Sequence, residues 1–509
     1  MRKSAFCLRT ASEATWWQKN FDNSRKITYY ILHGPLHCSF LLNFAVLRRP
    51  WQRLACSVFP HVLRALPVFR TSPVLKNKKM SIAELYEIYC TYPSITTDTR
   101  AITPCSLFFA LRGANFDGNA FALQALEAGC ARAIVDDPTL PDDPRLIRVD
   151  DVLTTLQDLA AYHRRHLHMP VIQITGTNGK TTTKELVAAV LSRKGRVTAT
   201  RGNLNNHIGV PRTLLSVRPD DAFAVIETGA NHPGEIAFLC RMVQADCGLI
   251  TNVGMAHLEG FGSFEGVKRT KGELYDDLRR RPGTFVFLHA DDADLSAMAQ
   301  GLPAVTYGAT GQGFDVEGKV VSCAPFLHLR WRRQQGAWHE VSTLLIGRYN
   351  LPNVLAAAAV GLRFGVDEDE ISAALEAYKP TNNRSELKLT ATNTLIVDAY
   401  NANLTSMRAA LDNFRQINHS HKVAILGEMR ELGEASAQAH AEVAQRALQC
   451  GCSEVWLVGP CFAPYAAGCR YFADVEAVRA HLAANSLSHS LVLIKGSNGT
   501  RLYTLPDML

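Results

Sequence analysis

The residues with the clearest chemical potential form a glycine-rich run between a predicted strand at 171–175 and a predicted helix at 181–194. Glycines let backbone N–H groups approach phosphate oxygens, and a helix N-terminus adds partial positive charge. Lys180 would then reach the β- and γ-phosphates, and the hydroxyl of Thr181 would bind Mg²⁺. The spacing G-x-x-G-K-T is two residues shorter than the general phosphate-loop pattern, so a glycine turn with a solvated lysine is the alternative. The predicted nucleotide-binding residues are Gly176, Thr177, Asn178, Gly179, Lys180, Thr181 and Thr182.

Three further residues are candidates for a metal or charge role, and each also has an ordinary structural interpretation. Glu227 ends the apolar run 222–227, and an acid at the carboxyl end of a strand in an open α/β sheet is well placed to bind Mg²⁺. On residue type alone, a helix N-cap or a salt bridge explains Glu227 equally well. His257 follows the next predicted strand, and Lys271 lies in a charged helical run. Without further context, His257 is expected to be an ordinary loop histidine and Lys271 a solvent-facing lysine.

A sheet of parallel strands must position these residues, and the chain alternates short apolar runs with helical patterns as βαβ units do. Central strands are predicted at 171–175, 222–227, 247–251 and 284–288, with helices at 181–194 and 351–364. A second alternating set has strands at 394–398, 423–427, 455–458 and 491–494, which is typical of a smaller doubly wound sheet. A third unit precedes these two sets in the chain, with a predicted strand at 106–111, a helix at 120–129 and a strand at 133–135. The acidic, proline-rich run 136–144 is expected to close this unit.

The predicted fold class is therefore α/β in three domains. A small mixed α/β domain spans 80–165, a central mononucleotide-binding sheet of phosphate-loop type spans 166–378, and a Rossmann-like sheet spans 379–509.

Charge is unevenly distributed along the chain. The formal charge is +7, but residues 1–79, the leader, hold 14 Lys and Arg against 2 Asp and Glu, whereas the other 430 residues hold 40 against 45. A basic surface that binds nucleic acid is therefore not expected after the leader. We interpret the leader as an over-extended translation start with Met80 as the initiator; a disordered basic tail and an organellar transit peptide are the alternatives. The 13 scattered cysteines indicate thiols in a reducing compartment.

Four runs, at 176–185, 202–211, 227–235 and 256–263, together resemble the Mur ligases. The first, Gly-Thr-Asn-Gly-Lys-Thr-Thr-Thr-Lys-Glu, is shared across the superfamily, folylpolyglutamate synthases included. Gly-Asn-Leu-Asn-Asn at 202–206 and Ala-His-Leu-Glu-Gly-Phe-Gly at 256–262 are more specific. The resemblance extends from about residue 97 to about residue 497.

The resemblance implies an ATP-dependent ligase that forms an amide bond. In its narrower form it implies addition of D-alanyl-D-alanine to UDP-N-acetylmuramoyl-tripeptide through an acyl phosphate, giving the UDP-muramoyl-pentapeptide for peptidoglycan synthesis, and with it cell-wall biogenesis, cell shape and cell division. It also implies ATP and Mg²⁺ as cofactors, a cytoplasmic location, a monomer, and no stable membrane insertion.

Several alternatives stay open within that resemblance. The third peptide residue can be L-lysine or a diaminopimelate. Another Mur or folylpolyglutamate-type amide ligase is the nearest rival, although the Asp-Asn-Pro-Arg run that is usual in the ligase adding the third residue does not occur here. An ATP-binding switch that does not ligate is the rival from another class.

The resemblance also implies roles for individual residues at the reacting end. Thr181, Glu227 and His257 match magnesium ligands. Lys271 matches the lysine that relatives carry as a carbamate, a modification that turns a cation into an anionic ligand. The implied catalytic residues are Lys180, His257, Lys271 and Arg384.

For the UDP-linked substrate, the implied binding residues lie in two places. Thr99 and Arg100, in the run 97–100, and Asn115, in the run 109–118, match the domain that holds the UDP end. Asn205 and Asn206 match positions near the muramoyl-peptide.

For ATP, the implied residues come from the central and C-terminal parts. Asn350 and Asn353 match the adenine side, although Tyr349 replaces the usual histidine and leaves any role of an imidazole in doubt. Arg384 matches the arginine that meets the γ-phosphate, with Asn-Asn before it instead of the common Pro-Gly, and Asp398 matches the ribose-side acid. Because Arg384 and the phosphate loop belong to different predicted domains, we expect catalysis to require closure of one domain onto the other.

Overall fold

The computed structural model describes residues 80–309, 311, 313–380 and 384–509. The leader and the two asparagines before Arg384 lie outside the described residues, so the three interpretations of the leader stay predictions. In the described part of the chain, no helix combines the length and the apolar character that crossing a bilayer requires.

The N-terminal part is a four-stranded parallel sheet. Its strands, in the order β1-β2-β5-β6, are β1 (Ile95–Thr96), β2 (Leu107–Phe109), β5 (Arg132–Val135) and β6 (Leu146–Arg148), and a short hairpin is formed by β3 (Arg112–Gly113) and β4 (Phe116–Asp117). The helices are α1 (Ile82–Thr91), α2 (Ala122–Glu127) and α3 (Val152–Arg164). The run 136–144 does not close the unit as expected, because β6 follows it and pairs with β5.

The central part is a nine-stranded sheet in the order β15-β14-β13-β12-β11-β10-β7-β9-β8. Its strands are β7 (Val171–Thr175), β8 (Val197–Ala199), β9 (Phe223–Glu227), β10 (Cys247–Ile250), β11 (Phe285–His289), β12 (Ala304–Ala309), β13 (Val316–Cys323), β14 (Phe326–Arg333) and β15 (His339–Ile346). Neighbours from β8 to β13 are parallel, whereas β13, β14 and β15 form an antiparallel extension that the sequence did not predict. Every residue of β7, β9 and β10 is buried, which explains their continuous apolar runs.

Eight helices among the described residues accompany the central sheet: α4 (Lys180–Leu191), α5 (Gly209–Leu214), α6 (Glu235–Val243), α7 (Leu258–Phe261), α8 (Phe264–Arg279), α9 (Ala293–Met298), α10 (Leu351–Arg363) and α11 (Glu368–Ala377). α10 accommodates Pro352 in its first turn, where no intrahelical N–H bond is lost. Its buried alanines allow close packing against α4, so the helix that follows the phosphate loop is held rigidly.

The C-terminal part is a six-stranded sheet in the order β16-β17-β21-β18-β19-β20. Its strands are β16 (Glu386–Leu389), β17 (Thr394–Asp398), β18 (Lys422–Gly427), β19 (Glu454–Val458), β20 (Arg470–Phe472) and β21 (Leu491–Lys495), and its helices are α12 (Leu404–Gln416), α13 (Ser436–Leu448) and α14 (Val475–Ala484). Only the edge strand β16 is antiparallel to its neighbour among these described strands. The predicted α/β class is confirmed.

The strand orders determine where a ligand can bind. The connection after β7 leads to β8 on one side of the sheet, whereas the connection after its neighbour β10 leads to β11 on the other side, so a crevice opens beyond the carboxyl ends of these two strands. The phosphate loop and Glu227 lie at this edge. In the C-terminal sheet, Asp398 at the end of β17 stands opposite Lys495 at the end of β21.

Candidate active site

The phosphate loop runs from the end of β7 to the start of α4, and its backbone requires glycine at two positions. Gly176 has φ +140° and Gly179 has φ +79°, and a Cβ at Gly176 would overlap the hydroxyl of Thr251. The loop is held on the residues after β10, since the Thr251 hydroxyl donates to the Asn178 carbonyl (2.6 Å) and the Asn178 N–H donates to Oδ1 of Asn252 (3.0 Å). These hydrogen bonds hold the backbone of the loop against the residues that follow β10.

Lys180 is folded over this loop instead of extending into solvent. Its Nζ donates to the carbonyls of Gly176 (2.8 Å) and Thr177 (2.9 Å). Burial lowers the pKa of Lys180 to about 8, with the attraction of Glu227 opposing this shift and the charge of Arg384 adding to it. The solvated lysine of the alternative interpretation is not what the structure shows.

Glu227 lies at the end of β9, only 1% exposed, with both carboxylate oxygens occupied. Oε2 accepts from the hydroxyl of Thr181 (2.9 Å), and Oε1 accepts from Nδ2 of Asn205 (2.8 Å). Its backbone N–H donates to the hydroxyl of Thr200 (2.9 Å). Glu227 is thus neither an N-cap nor half of a surface salt bridge, and it brings together the phosphate loop and the segment before α5.

His257 immediately precedes α7, with φ +53°, and its Nδ1 pairs with the carboxylate of Glu431 from the C-terminal part. Its ring meets that of Phe261 edge-on, at a centroid distance of 6.2 Å. Burial lowers the pKa of His257, the carboxylate of Glu431 opposes that shift, and the charges of Lys180 and Lys271 reinforce it.

Lys271 is 2% exposed on α8, and its Nζ lies 5.5 Å from the ring centroid of Phe261. Among the described residues it has no hydrogen-bond or ion-pair partner. Burial, followed by repulsion from Lys180, lowers its pKa to about 7, against the attraction of Glu235 and Glu273. A substantial fraction of this amine is neutral near pH 7, so the solvent-facing lysine expected from helix pattern alone is wrong.

The predicted adenine-side residues form a hydrogen-bonded chain that ends on α4, the helix after the phosphate loop. Asn350 Nδ2 donates to the carbonyl of Ile346 (2.9 Å), and Asn353 Nδ2 donates to Oδ1 of Asn350 (2.8 Å). Oδ1 of Asn353 accepts from the hydroxyl of Thr183 on α4 (3.0 Å). Both asparagines are buried but line the cavity described below, so they combine a structural role with a position beside the cavity.

Arg384 and Asp398 come from the C-terminal part. The guanidinium carbon of Arg384 lies 3.9 Å from the ring centroid of Tyr400, a cation–π contact. Among the described residues Arg384 makes no hydrogen bond and no ion pair, which leaves its N–H groups available to an anion. Asp398 accepts from Nζ of Lys495 (2.6 Å), a lysine that is 1% exposed.

Most of the predicted site residues line one cavity of about 1040 Å³ between the central and C-terminal sheets. Asn205 and Asn206 also face it, although Oδ1 of Asn206 is engaged by the N–H groups of Ile208 and Gly209. The predicted site residues in its lining are Thr177, Asn178, Gly179, Lys180, Thr182, Asn205, Asn206, Glu227, His257, Asn350, Asn353, Arg384 and Asp398. Gly176, Thr181 and Lys271 are not in the lining.

The predicted UDP-binding residues are not part of this cavity. Thr99 and Arg100 lie in a one-turn 3₁₀ helix, where the exposed Arg100 guanidinium forms a two-pronged pair with Asp98 (2.9 and 2.8 Å). Those hydrogen bonds lower the pKa of Asp98 to about 2. Asn115 is exposed between β3 and β4. These three side chains thus lie on the surface of the N-terminal part.

Three contacting residues were not predicted as site residues: Asn403, Glu431 and Lys495. Asn403 is the N-cap of α12, and its amide pairs with that of Asn178. Asn403, Glu431 and Lys495 lie in the runs 398–403, 427–433 and 495–497, which also resemble the Mur ligases and were the available signal for them. In the described part of the chain, no three His, Cys, Asp or Glu side chains form a group that could hold a metal ion.

The chain matches three models of known families: "Mur ligase family, catalytic domain" at residues 91–164, "Mur ligase middle domain" at 174–361, and "Mur ligase, glutamate ligase domain" at 383–498. The UDP-N-acetylmuramoyl-tripeptide–D-alanyl-D-alanine ligase of Escherichia coli is 36% identical, over 74% of this chain and 83% of that protein. The ligase of the same name from Bacillus subtilis is 36% identical, over 68% and 76%.

Solved structures agree with this match. MurF from Acinetobacter baumannii superposes with a TM-score of 0.73 at 32% identity, over 81% of this chain and 92% of that one. The MurF ligase from Thermotoga maritima, in complex with ADP, gives a TM-score of 0.71 at 25% identity, over 82% and 96%.

Proposed function

Because the chain belongs to the Mur ligase family, we propose that it is the ATP-dependent ligase that joins D-alanyl-D-alanine to UDP-N-acetylmuramoyl-tripeptide. The observation that supports this most directly is the identity to ligases named for that reaction over most of their length. The product is the UDP-linked pentapeptide used in peptidoglycan synthesis. This assigns the chain to cell-wall biogenesis, and so to cell shape and cell division, in the cytoplasm.

The reaction has two chemical steps. A carboxylate is a poor acyl donor because its oxygen is a poor leaving group, so an oxygen of the peptide carboxylate first attacks the γ-phosphorus of ATP and ADP leaves. The amine of D-alanyl-D-alanine then attacks the carbonyl carbon of the acyl phosphate, loses a proton, and inorganic phosphate leaves from the tetrahedral intermediate. One amide bond forms and one phosphoanhydride bond is broken.

The first step brings an anion onto an anion, so the site must supply positive charge. The loop N–H groups and the N-terminus of α4 would supply partial positive charge to the phosphates, Lys180 lies over the loop, and Arg384 lines the same cavity from the C-terminal part. These cations stabilise the charge that develops on the transferring group. Asn350, Asn353 and Asp398 are proposed to hold the adenosine part.

The residues present fit a magnesium ion. Thr181 and Glu227 offer hard oxygen ligands that already contact each other (2.9 Å), and His257 adds an imidazole. A carbamate on the buried Lys271 would complete this set, because Mg²⁺ prefers oxygen ligands and an unmodified lysine has none in its side chain. Bound there, Mg²⁺ would neutralise phosphate charge.

The remaining parts of the substrate extend away from this centre. We propose that Asn205 and Asn206 contact the muramoyl-peptide and that Thr99, Arg100 and Asn115 hold the UDP end on the N-terminal sheet. The proposed domains are 80–165, 166–378 and 379–509, and the active unit is a monomer.

A phosphate-release assay on the full chain tests the proposal. Release of phosphate from ATP should require both D-alanyl-D-alanine and a UDP-tripeptide, supplied in parallel with L-lysine and with diaminopimelate as the third residue. Release without either substrate would instead support an ATP-binding switch. Release that depends on a single amino acid, or on a folate, would support another amide ligase of the superfamily.

A further inference from the structure

The hydroxyl of Tyr349, in the turn that carries Asn350, makes a contact beside Arg384, the arginine proposed to act on the γ-phosphate. Tyr349 OH and the Ser385 hydroxyl share a hydrogen bond of 2.7 Å. Tyr349 belongs to the 3₁₀ turn Arg348–Asn350 of the central part, whereas Ser385 immediately precedes β16 and follows Arg384. The bond therefore connects the adenine-side motif to the segment that presents Arg384.

The backbone around this contact is specialised on both sides. Gly347 has φ +93°, and a Cβ there would overlap the ring of Tyr349, so glycine leaves the space that the tyrosine ring occupies. Ser385 has φ +52°, a left-handed conformation that is unfavourable for a residue with a side chain. Such a conformation persists only where neighbouring contacts fix it, and the hydrogen bond to Tyr349 is one of them.

The geometry of Arg384 shows what this fixed backbone can do. Its guanidinium lies on the face of Tyr400 and, within the described part of the chain, has no hydrogen bond that would orient it. The stacking contact alone allows the guanidinium to slide and rotate in the plane of the ring. The direction in which it points therefore depends strongly on the backbone at residues 384 and 385.

The phenol of Tyr349 is also protonated, as a hydrogen bond between two hydroxyl groups requires. Burial, with the nearby Asp398 carboxylate adding to it, raises the pKa of Tyr349 well above its usual value, so the hydroxyl keeps its proton across the physiological range. Its hydrogen bond to Ser385 therefore joins two neutral hydroxyl groups, and this bond does not change with pH near neutrality.

We propose that Tyr349 is a positioning residue: by holding Ser385, its hydroxyl presents Arg384 to the γ-phosphate of the nucleotide bound beside the same turn. This inference rests on the proposed function for the identity of the anion. The turn that carries Asn350 would then have two roles: it contacts the nucleotide, and it orients an arginine of the C-terminal part.

The test compares phosphate-release kinetics of the full chain with those of Tyr349→Phe, Ser385→Ala and the double variant. Each single change should lower kcat about 5-fold, as expected for one lost hydrogen bond, with KM for the UDP-tripeptide and the Kd for ADP within 2-fold of the parent. The double variant should be no slower than either single one, because both remove the same bond.

Two further variants separate positioning from a structural effect. In an Arg384→Ala background, Tyr349→Phe should have no additional effect on kcat. Tyr307→Phe, which removes another buried phenol hydroxyl from the central sheet, should leave kcat unchanged. If Tyr349→Phe does not fold, Ser385→Ala still tests the bond.

The outcomes distinguish the two proposals. Parent-like kcat in Tyr349→Phe and Ser385→Ala, additive losses in the double variant, or a persisting loss in the Arg384→Ala background would overturn the positioning role. Phosphate release by the parent that ignores D-alanyl-D-alanine would count against the proposed ligation alone, because the variants can still be compared by their rate of ATP turnover.

Discussion

The side-chain amides of Asn178 and Asn403 are hydrogen-bonded to each other in both directions. Nδ2 of Asn403 donates to Oδ1 of Asn178 (2.8 Å), and Nδ2 of Asn178 donates to Oδ1 of Asn403 (3.4 Å). Asn178 belongs to the phosphate loop, and Asn403 caps α12 of the C-terminal part. The pair, together with the contact of His257 with Glu431, holds the C-terminal part against the rim of the phosphate loop.

Asn403→Ser should separate the docking role of Asn403 from its capping role. Serine is as good an N-cap as asparagine but is too short to reach Asn178. We expect Asn403→Ser to lower kcat about 5-fold with little change in Tm, because the lost bonds join the two parts that line the proposed ATP site. Asn403→Ala should lose about 1 kcal/mol of stability in addition. Steady-state kinetics and thermal unfolding measure both, and a parent-like kcat in Asn403→Ser would contradict the docking role.

Arg384→Ala should lower turnover far more than it weakens binding of the UDP-tripeptide. The guanidinium is expected to act on charge that develops during phosphoryl transfer, so its loss should lower kcat on the order of 100-fold while the Kd of the UDP-tripeptide changes less than about 3-fold. Arg363→Ala is the matched control, because Arg363 also stacks on an aromatic ring, at 4.8 Å from Phe285, but does not line the cavity. Equal kcat in Arg384→Ala and the parent would exclude this role.

Much of the fold was predictable because its strands are buried on both faces. β7 and β17 have the predicted bounds, and their apolar runs need no periodicity to be recognised. β13, β14 and β15 escaped prediction because one face of this extension is exposed: Arg330, Arg332 and Arg333 in β14 resemble a polar loop. Their alternation with buried residues, such as Leu329 and Trp331, was the available signal.

Individual residues of the candidate site could be predicted from the sequence, but the contacts between these residues could not. Phosphate-loop residues and the acid at the end of β9 follow from strand–loop–helix order, which the sequence encodes locally. The contacts of Asn178 with Asn403 and of Tyr349 with Ser385 join residues that are 225 and 36 positions apart. They depend on how two sheets dock, for which hydrophobic periodicity contains no information.

Lys271→Ala should abolish most of the activity and remove its dependence on CO₂. The pKa of about 7 leaves much of the amine neutral, which is the form that adds CO₂ to give a carbamate. In CO₂-depleted buffer the parent should be slow and should recover when bicarbonate is added. Lys271→Ala should be slower on the order of 100-fold and should not recover.

The control for Lys271→Ala is Lys268→Ala on the same helix, whose ammonium pairs with Asp294 (2.7 Å). This variant should keep the parent's rate and its response to bicarbonate. Identical rates of the parent with and without CO₂ would argue against a carbamate.

We expect the burial of His163 to lower the stability of the fold in mild acid. It is 3% exposed, with Nε2 2.9 Å from the carbonyl of Val217, and burial lowers its pKa, an effect that the carbonyl only partly opposes. Below about pH 6.5 the unfolded chain therefore binds a proton at this histidine that the folded chain does not. Stability that is present above that pH is lost as the pH falls, by at most about 1.4 kcal/mol per pH unit. His163→Gln should show a smaller drop in Tm between pH 7.5 and 5.5 than the parent, whereas His168→Gln, at an exposed site, should match it. The same drop in His163→Gln as in the parent would assign the acid sensitivity to other groups.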